Sequence, residues 1–288
     1  MTRMYSKVSQ IALEGLYYYL KLTGASKLAY TYEDYFDYVV KQRDIKVMSH
    51  HFTGRNIEGL TVIDDLGTSL SYERDNPVVR QNFTKCHELG HVLLEHKGKL
   101  FTELADNQDS LLEKEANLFS SIILMPDIIL LSKIFYQRLS FESAYHSFKV
   151  SSQAFEIRLS ELLKHRTKLL TRDINQVLNL YKAGNNSSIL STFRIMEDDI
   201  VSEFECIEVS IEDCIQFKLK DSHFVTSRDF EELEDLTFLK DLKEHNDKVD
   251  TWLYYEKGKT IGYVWLKAFV TKEQAQIRAR NILLLEER

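Results

Sequence analysis

The stretch Thr84-Lys-Cys-His-Glu-Leu-Gly-His-Val-Leu-Leu-Glu-His96 decides how this chain is read. Within it, His87-Glu88-Leu89-Gly90-His91 is an H-E-x-x-H pattern. Four residues make just over one helical turn, so both imidazoles leave one face of a helix and can grip one metal ion, zinc by preference. Glu88, next to the first histidine, sits where it reaches the attacking water rather than the ion. There it can act as general base and later protonate the leaving amine. Helix signals flank the pattern. Asn76 reads as an N-cap and Pro77 as the first helical residue, while Gly98 after His96 and Lys97 reads as the C′ glycine. Cys86, Leu89 and Leu93 supply an apolar side, and Gly90 lets a second helix come close.

A catalytic metal needs a third protein ligand and an open position. The next predicted helix, from Ser110 to the residue before Pro126, offers Glu113 and Glu115. Glu113 is favoured because it shares a face with Ala116, Asn117 and Ser120, small or polar residues that allow close packing on the Gly90 helix. Asn117 can then hold the free ring nitrogen of a histidine ligand. Glu115 lies on the other side of the helix, toward Leu112, Leu118 or solvent. A competing reading makes Ser110-Leu-Leu-Glu113 a capping box, in which the Glu113 carboxylate bonds backbone instead of metal.

Working outward, Val8, Ile11, Leu16, Tyr19 and Leu20 recur at helical spacing, and 30–40 repeats the pattern. The runs beginning at Ile45, Leu60 and Ser69 are short and separated by glycines, which predicts a small antiparallel sheet packed on the histidine helix. Residues 102–109 read as a polar loop, and 127–182 as helical throughout. Within the latter, Phe141–Arg166 has the spacing of a helix-turn-helix, although an ordinary helical hairpin fits as well. Ala183-Gly-Asn-Asn-Ser-Ser188 reads as a linker. Beyond it, 204–219, 224–226 and 251–264 look extended and 272–285 helical. The expected fold class is α+β, with a metallopeptidase domain over 1–126, a helical region over 127–182 and a separate α+β module over 189–288.

Composition narrows the function classes. The chain has 288 residues, 44% hydrophobic and 28% charged, an ordinary globular mix without internal repeats. Its net charge of −7 disfavours extended phosphate-backbone binding. The acidic excess lies in 189–288, with 22 acidic against 14 basic residues. The apolar stretch 121–131 is interrupted by Pro126 and Asp127 and is too short to span a bilayer. No signal-peptide core follows the N-terminus, and three cysteines form no paired framework. A cytoplasmic location without membrane association is expected.

Arg80-Gln-Asn-Phe-Thr-Lys-Cys-His-Glu-Leu-Gly-His91, then Glu113-Lys-Glu-Ala-Asn-Leu-Phe119 and Ile123-Leu-Met-Pro126, resemble the ImmA/IrrE family of zinc metallopeptidases. The likeness covers roughly residues 30–165, and Ser120-Ser121 stands where that family usually has alanines. It implies His87, His91 and Glu113 as zinc ligands and Glu88 as catalytic base. It also implies a substrate class: helix-turn-helix repressors that silence genes of mobile elements, phages or stress responses. The alternative is a non-proteolytic metal-containing regulator that binds a repressor or DNA through 141–166. Direct DNA binding is disfavoured because Ser151–Ser160 offers Arg158 as its one cation. Two imidazoles and a carboxylate also suit manganese or iron. The sequence leaves the oligomeric state open.

Five further expectations concern the cleft and its surroundings. The strand Ser69–Glu73 is expected as its upper edge, to which an extended substrate adds by backbone hydrogen bonds. His96, five residues beyond His91, is expected to point away from the metal face as a helix-terminal residue. Tyr72, Tyr136 and Tyr145 are candidates to steady an oxyanion, and His50-His51 to border the cleft. Cys86 is expected in the core rather than at the metal.

Overall fold

The computed structural model describes residues 2–51, 57–96, 100–104 and 110–285. The chain forms two compact units, Met1–Leu20 with Gly24–Ile207, and Lys21–Thr23 with Glu208–Arg288.

The first unit opens with α1 (Thr2–Thr23) and α2 (Tyr32–Gln42). In α1, Val8, Ala12, Leu16 and Leu20 are spaced by four and all buried, which is why this helix lies across the core. Strands β1 (Ile45–His50), β2 (Ile57–Asp64) and β3 (Gly67–Glu73) follow, then α3 (Val78–Leu93), β4 (Leu100–Leu104) and α4 (Leu111–Leu124). The sheet order is β1-β3-β2-β4. β3 runs parallel to β1, and β2 runs antiparallel to both β3 and β4. α3 packs on the sheet through β2 and β3, and α4 packs on α3.

This topology corrects two expectations. The sheet is mixed instead of antiparallel throughout, because β1 runs parallel to β3. Ser69–Glu73 is no edge: Ser69 pairs with Lys46 on one side and Val62 on the other, so β3 has no backbone edge to offer a substrate. The edge beside α3 is β4, formed by residues of which 102–104 were expected in a loop. A register shift between Ile57 and Gly59 lets β2 accommodate it.

After α4 come α5 (Asp127–Leu130), a π-helical turn (Leu131–Tyr136), α6 (Phe141–Ser147), α7 (Ser152–Arg166), α8 (Thr171–Lys182) and α9 (Ser187–Glu205). Leu111–Tyr136 is long and apolar enough to cross a membrane, but 94% of its apolar window is buried inside the protein. Asp127 is fully buried and accepts from Arg158 of α7 and from Arg166 Nη2 at 2.6 Å. Arg166 in turn reaches Glu203 of α9 at 2.6 Å, so one carboxylate ties α5, α7 and α9 together.

The expected linker at 183–188 is the turn between α8 and the start of α9, and α9 belongs to the first unit. Ile189, Phe193, Met196, Ile200 and Phe204 recur every three or four residues and are buried in that unit's core. The division comes after Ile207 instead of at 188.

The second unit contains α10 (Ile211–Ser222), β5 (Phe224–Thr226), α11 (Leu236–His245), β6 (Val249–Glu256), β7 (Lys259–Leu266) and α12 (Lys272–Leu285). Residues 211–219, expected to be extended, are helical because Ser210 caps the segment and Ile215 and Leu219 recur on one buried face. The sheet order is β5-β7-β6, all antiparallel. β6 and β7 meet at a turn in which Lys257 and Gly258 both have positive φ, at 49° and 82°, as a two-residue hairpin requires. One apolar cluster joins Val225, Val249 and Val264 to α10 and α11, and the other joins Ile261, Tyr263 and Trp265 to α12.

Candidate metal centre

α3 carries the histidines and stops where its sequence does not advertise a stop. Pro77, rather than Asn76, occupies the cap position, and its carbonyl accepts from the N–H groups of Arg80 and Gln81 at 2.8 and 3.0 Å. Asn76 turns its side chain to Glu58 Oε2 at 2.5 Å. At the other end Glu95 adopts φ 54°, so His96 N–H returns to the His91 carbonyl at 3.1 Å and Glu95 N–H to that of Val92 at 3.2 Å. This is a Schellman closure with a non-glycine residue in the left-handed position. Gly98, expected in that role, lies outside the described residues.

α4 reaches the histidines because both helices are thin where they cross. A Cβ on Gly90 would stand 3.3 Å from Ala116 Cα and 3.1 Å from Phe119 Cδ1. Ser120 donates to the Phe83 carbonyl at 2.8 Å and links the helices further.

Three side chains converge at this crossing. His87 Nε2 and His91 Nε2 stand 3.1 Å apart, Glu113 Oε2 is 3.0 Å from the former and Glu113 Oε1 3.5 Å from the latter. Both histidines are fully buried. Donors held about 2.0–2.1 Å from one tetrahedral ion stand about 3.3 Å apart, which is the spacing seen here. The capping alternative resolves without conflict. Ser110 Oγ accepts from the Glu113 backbone N–H at 3.1 Å, while the Glu113 carboxylate faces the histidines. The helix cap uses Glu113's backbone and leaves its side chain free.

The donor set itself fits a divalent cation. Asn117 Oδ1 lies 3.0 Å from His87 Nδ1; read as the amide's acceptor, it takes that proton and leaves Nε2 as a bare lone pair. Burial foremost, then the charges of His87 and His96, hold His91 down at about 3, so it too stays neutral near pH 7. Two unprotonated nitrogens and a carboxylate facing one another repel unless a cation lies among them.

Glu88 stands beside that group without belonging to it. It is fully buried beneath β2, where the Thr61 hydroxyl donates to its Oε2. Gly59, two residues earlier on β2, presses so closely on α3 that a Cβ there would collide with Glu88 Oε1 and stand 2.5 Å from Thr84 Cγ2. Glu88 does not join His87, His91 and Glu113 in the group whose ligand atoms lie within 4.8 Å of one another.

Two residues are placed against expectation. His96 does not point away: its Nδ1 lies 2.9 Å from His91 Nδ1. The expectation extended the helix through His96, whereas the reversal at Glu95 carries His96 back under the last turn. Glu115 is buried rather than idle, with Oε2 3.0 Å from His96 Nε2. Burial above all keeps the His96 pKa below the usual imidazole value, against the pull of Glu115. Phe101 of β4 stacks on the His91 ring at 4.6 Å.

The weaker candidates separate. Cys86 is fully buried as a free thiol with its pKa pushed well up by burial, as expected of a core residue. Tyr136 is exposed and bonds Glu197, Tyr145 packs against Phe141, and the Lys85 ammonium lies 4.4 Å over the Tyr72 ring. His51 is exposed and pairs with Asp75 at 2.8 Å. Gly59 and Thr61 were not singled out for the site by sequence, and His96 and Glu115 were weighed and set aside.

Residues 40–160 match the family model of the IrrE N-terminal-like domain, Peptidase_M78. No curated protein and no solved structure matches the chain.

Proposed function

Because residues 40–160 belong to the IrrE N-terminal-like family of metallopeptidases, we propose that this chain is a zinc-dependent endopeptidase. Its substrate is a regulatory protein in the cytoplasm, a helix-turn-helix repressor of a mobile element, phage or stress response. The observation that carries the reading is the convergence of His87 Nε2, His91 Nε2 and the Glu113 carboxylate within 4.8 Å, one residue away from Glu88 on the same helix. The likeness of 80–91 and 113–126 to repressor-cleaving peptidases supports the substrate class.

When bound, zinc polarises the scissile carbonyl and acidifies the attacking water. Glu88 then takes the proton from that water and passes it to the leaving amine nitrogen, while Thr61 keeps its carboxylate from turning. Asn117 keeps the His87 ring in one orientation. β4 pairs with β2 alone among the described residues, so its outer edge is where an extended peptide can add by backbone hydrogen bonds.

The regulator that binds DNA through 141–166 is less well supported. Arg158 is fully buried on Asp127, Arg166 is engaged by Asp127 and Glu203, and the His165 ring stacks on Tyr5 at 3.7 Å. Arg158 and Arg166 are thus committed inside the fold and Lys164 remains exposed on α7, which leaves a meagre phosphate-binding face.

The test is to incubate purified zinc-loaded protein with a repressor encoded beside its gene and to follow fragments by mass spectrometry. Cleavage is expected from the natural protein. Glu88→Gln should retain close to one zinc per chain and lose cleavage. Full cleavage by that variant, or purified protein that takes up no zinc, refutes the proposal.

A further inference from the structure

The geometry points to His96 and Glu115 as positioning residues that dictate which nitrogen of His91 carries its proton, and so set metal affinity. The inference rests on the metallopeptidase reading above and adds to it a second pair of side chains behind the ligands.

The argument is one of proton direction. Glu115 offers a carboxylate, which accepts and does not donate. Its Oε2, 3.0 Å from His96 Nε2, therefore places the proton of neutral His96 on that nitrogen. His96 Nδ1 is then left as an acceptor, 2.9 Å from His91 Nδ1, so the proton in that gap belongs to His91. With its proton fixed on Nδ1, His91 presents an unprotonated Nε2 to His87 and Glu113. The reverse order fails at both ends. A proton on His91 Nε2 would block the ligand position, and a bare His96 Nε2 would face a carboxylate. Three groups share two protons in one self-consistent arrangement, and its direction is set at Glu115.

The surroundings restrict the chain to that arrangement. His96 and Glu115 are each only 6% exposed, so no bulk water substitutes for either partner. Lys7 Nζ, 3.8 Å from Glu115 Oε1, complements the carboxylate from α1. The left-handed conformation of Glu95, unfavourable for a residue with a side chain, is what turns His96 back beneath the helix. Phe101 closes the remaining side, its ring 6.2 Å from that of His96.

The experiment measures metal binding rather than turnover. Metal-free full-length protein is titrated with Zn²⁺ against a chromophoric chelator, and with Co²⁺ while its visible ligand-field bands are recorded. His96→Phe keeps a planar ring but removes the acceptor. It should weaken Zn²⁺ binding by about 10–100-fold and alter the Co²⁺ bands. His96→Asn puts an amide oxygen close to where Nδ1 stood and should recover most of that loss. Glu115→Gln, whose amide can donate as well as accept, should weaken binding by about tenfold. The proposal is overturned if His96→Phe binds Zn²⁺ within twofold of the natural protein. It is also overturned if His96→Asn is as weak as His96→Phe, since the loss would then come from packing. If the natural protein itself bound no Zn²⁺, the metallopeptidase reading would fall first.

Discussion

Replacing Gly59 with alanine adds one methyl group at the point where β2 crosses α3, and its consequences follow from three neighbours. The new Cβ would collide with Glu88 Oε1, stand 2.5 Å from Thr84 Cγ2 and 3.0 Å from Glu88 Cδ. Ordinary carbon contacts begin near 3.5 Å, so β2 and α3 must separate by about 1 Å, or Glu88 must swing by a similar distance. Neither is cheap. Thr84 and Glu88 are fully buried, and Glu88 is tied to Thr61 on the same strand. Overpacking of this kind costs about 1–3 kcal/mol, and displacing a catalytic group by about 1 Å costs about 100-fold in rate. Gly59→Ala should therefore melt earlier, retain zinc because the new methyl's nearest contacts are Glu88 and Thr84 rather than His87, His91 or Glu113, and cleave about 100-fold more slowly. Thermal denaturation, metal content and the fragment assay read these separately. A variant with natural stability and natural rate would show that Glu88 does not work from beneath β2.

Four other outcomes are expected. Ser110→Ala should cost about 1 kcal/mol in chemical denaturation and leave zinc bound, whereas Glu113→Ala should empty the site as read by metal analysis. Asp127→Ala strips Arg158 and Arg166 of their shared carboxylate and should destabilise the protein by about 3–5 kcal/mol in urea. In metal-free protein, His91 titrates near 3 when folded against its ordinary 6.5, chiefly because it is buried. The unfolded chain therefore binds the proton more readily, so stability present above pH 6.5 declines as pH falls toward 3; melts across that window should be flatter for His91→Gln. Gly262→Ala drives a Cβ into the Leu233 carbonyl, within 3.2 Å of Glu234 N, and should lower the melting temperature without changing zinc content.

The convergence of His87, His91 and Glu113 was legible because helical periodicity puts the two histidines on one face and Glu113 on the small face of α4, and Gly90 marked the crossing. Its supporting residues were not. His96 was misread because the stop signal is a positive φ at Glu95, a residue that gives no hint of it. With the helix assumed to continue, His96 had to point away. Glu115 was misplaced for a related reason: its partner arrives from that reversal and not from either helix. Gly59 was visible only as a break before a strand and Thr61 only as a strand residue, since their role depends on which face of β2 meets α3. The parallel β1/β3 pairing could not be read because alternation along a strand does not state its neighbours. The first unit's extent was obscured by a Gly-Asn-Asn-Ser-Ser run that reads as a linker and is a helix-to-helix turn. The spacing of apolar residues in α9 already pointed to a buried helix.

The site draws its restraint from two sides of α3, and this has a consequence for how its variants divide. On one side, Asn117 and His96 meet the Nδ1 atoms of the two histidines and Glu115 backs His96, so their loss should change how tightly an ion is held. On the other, Gly59 and Thr61 bear on Glu88, so under the proposed mechanism their loss should change the proton transfer of the chemical step. Adjacent residues diverge by about 100° around the helix axis, so His87 and Glu88 serve the two tasks from different bearings on α3. Zinc affinity and turnover should accordingly fall independently. A Thr61→Val protein with full zinc and impaired cleavage, beside a His96→Phe protein that cleaves normally once saturated with zinc, is the pattern this division requires. If Thr61→Val lost its metal, Glu88 and the ligands would be coupled through α3, and the two sides could not be treated as separate.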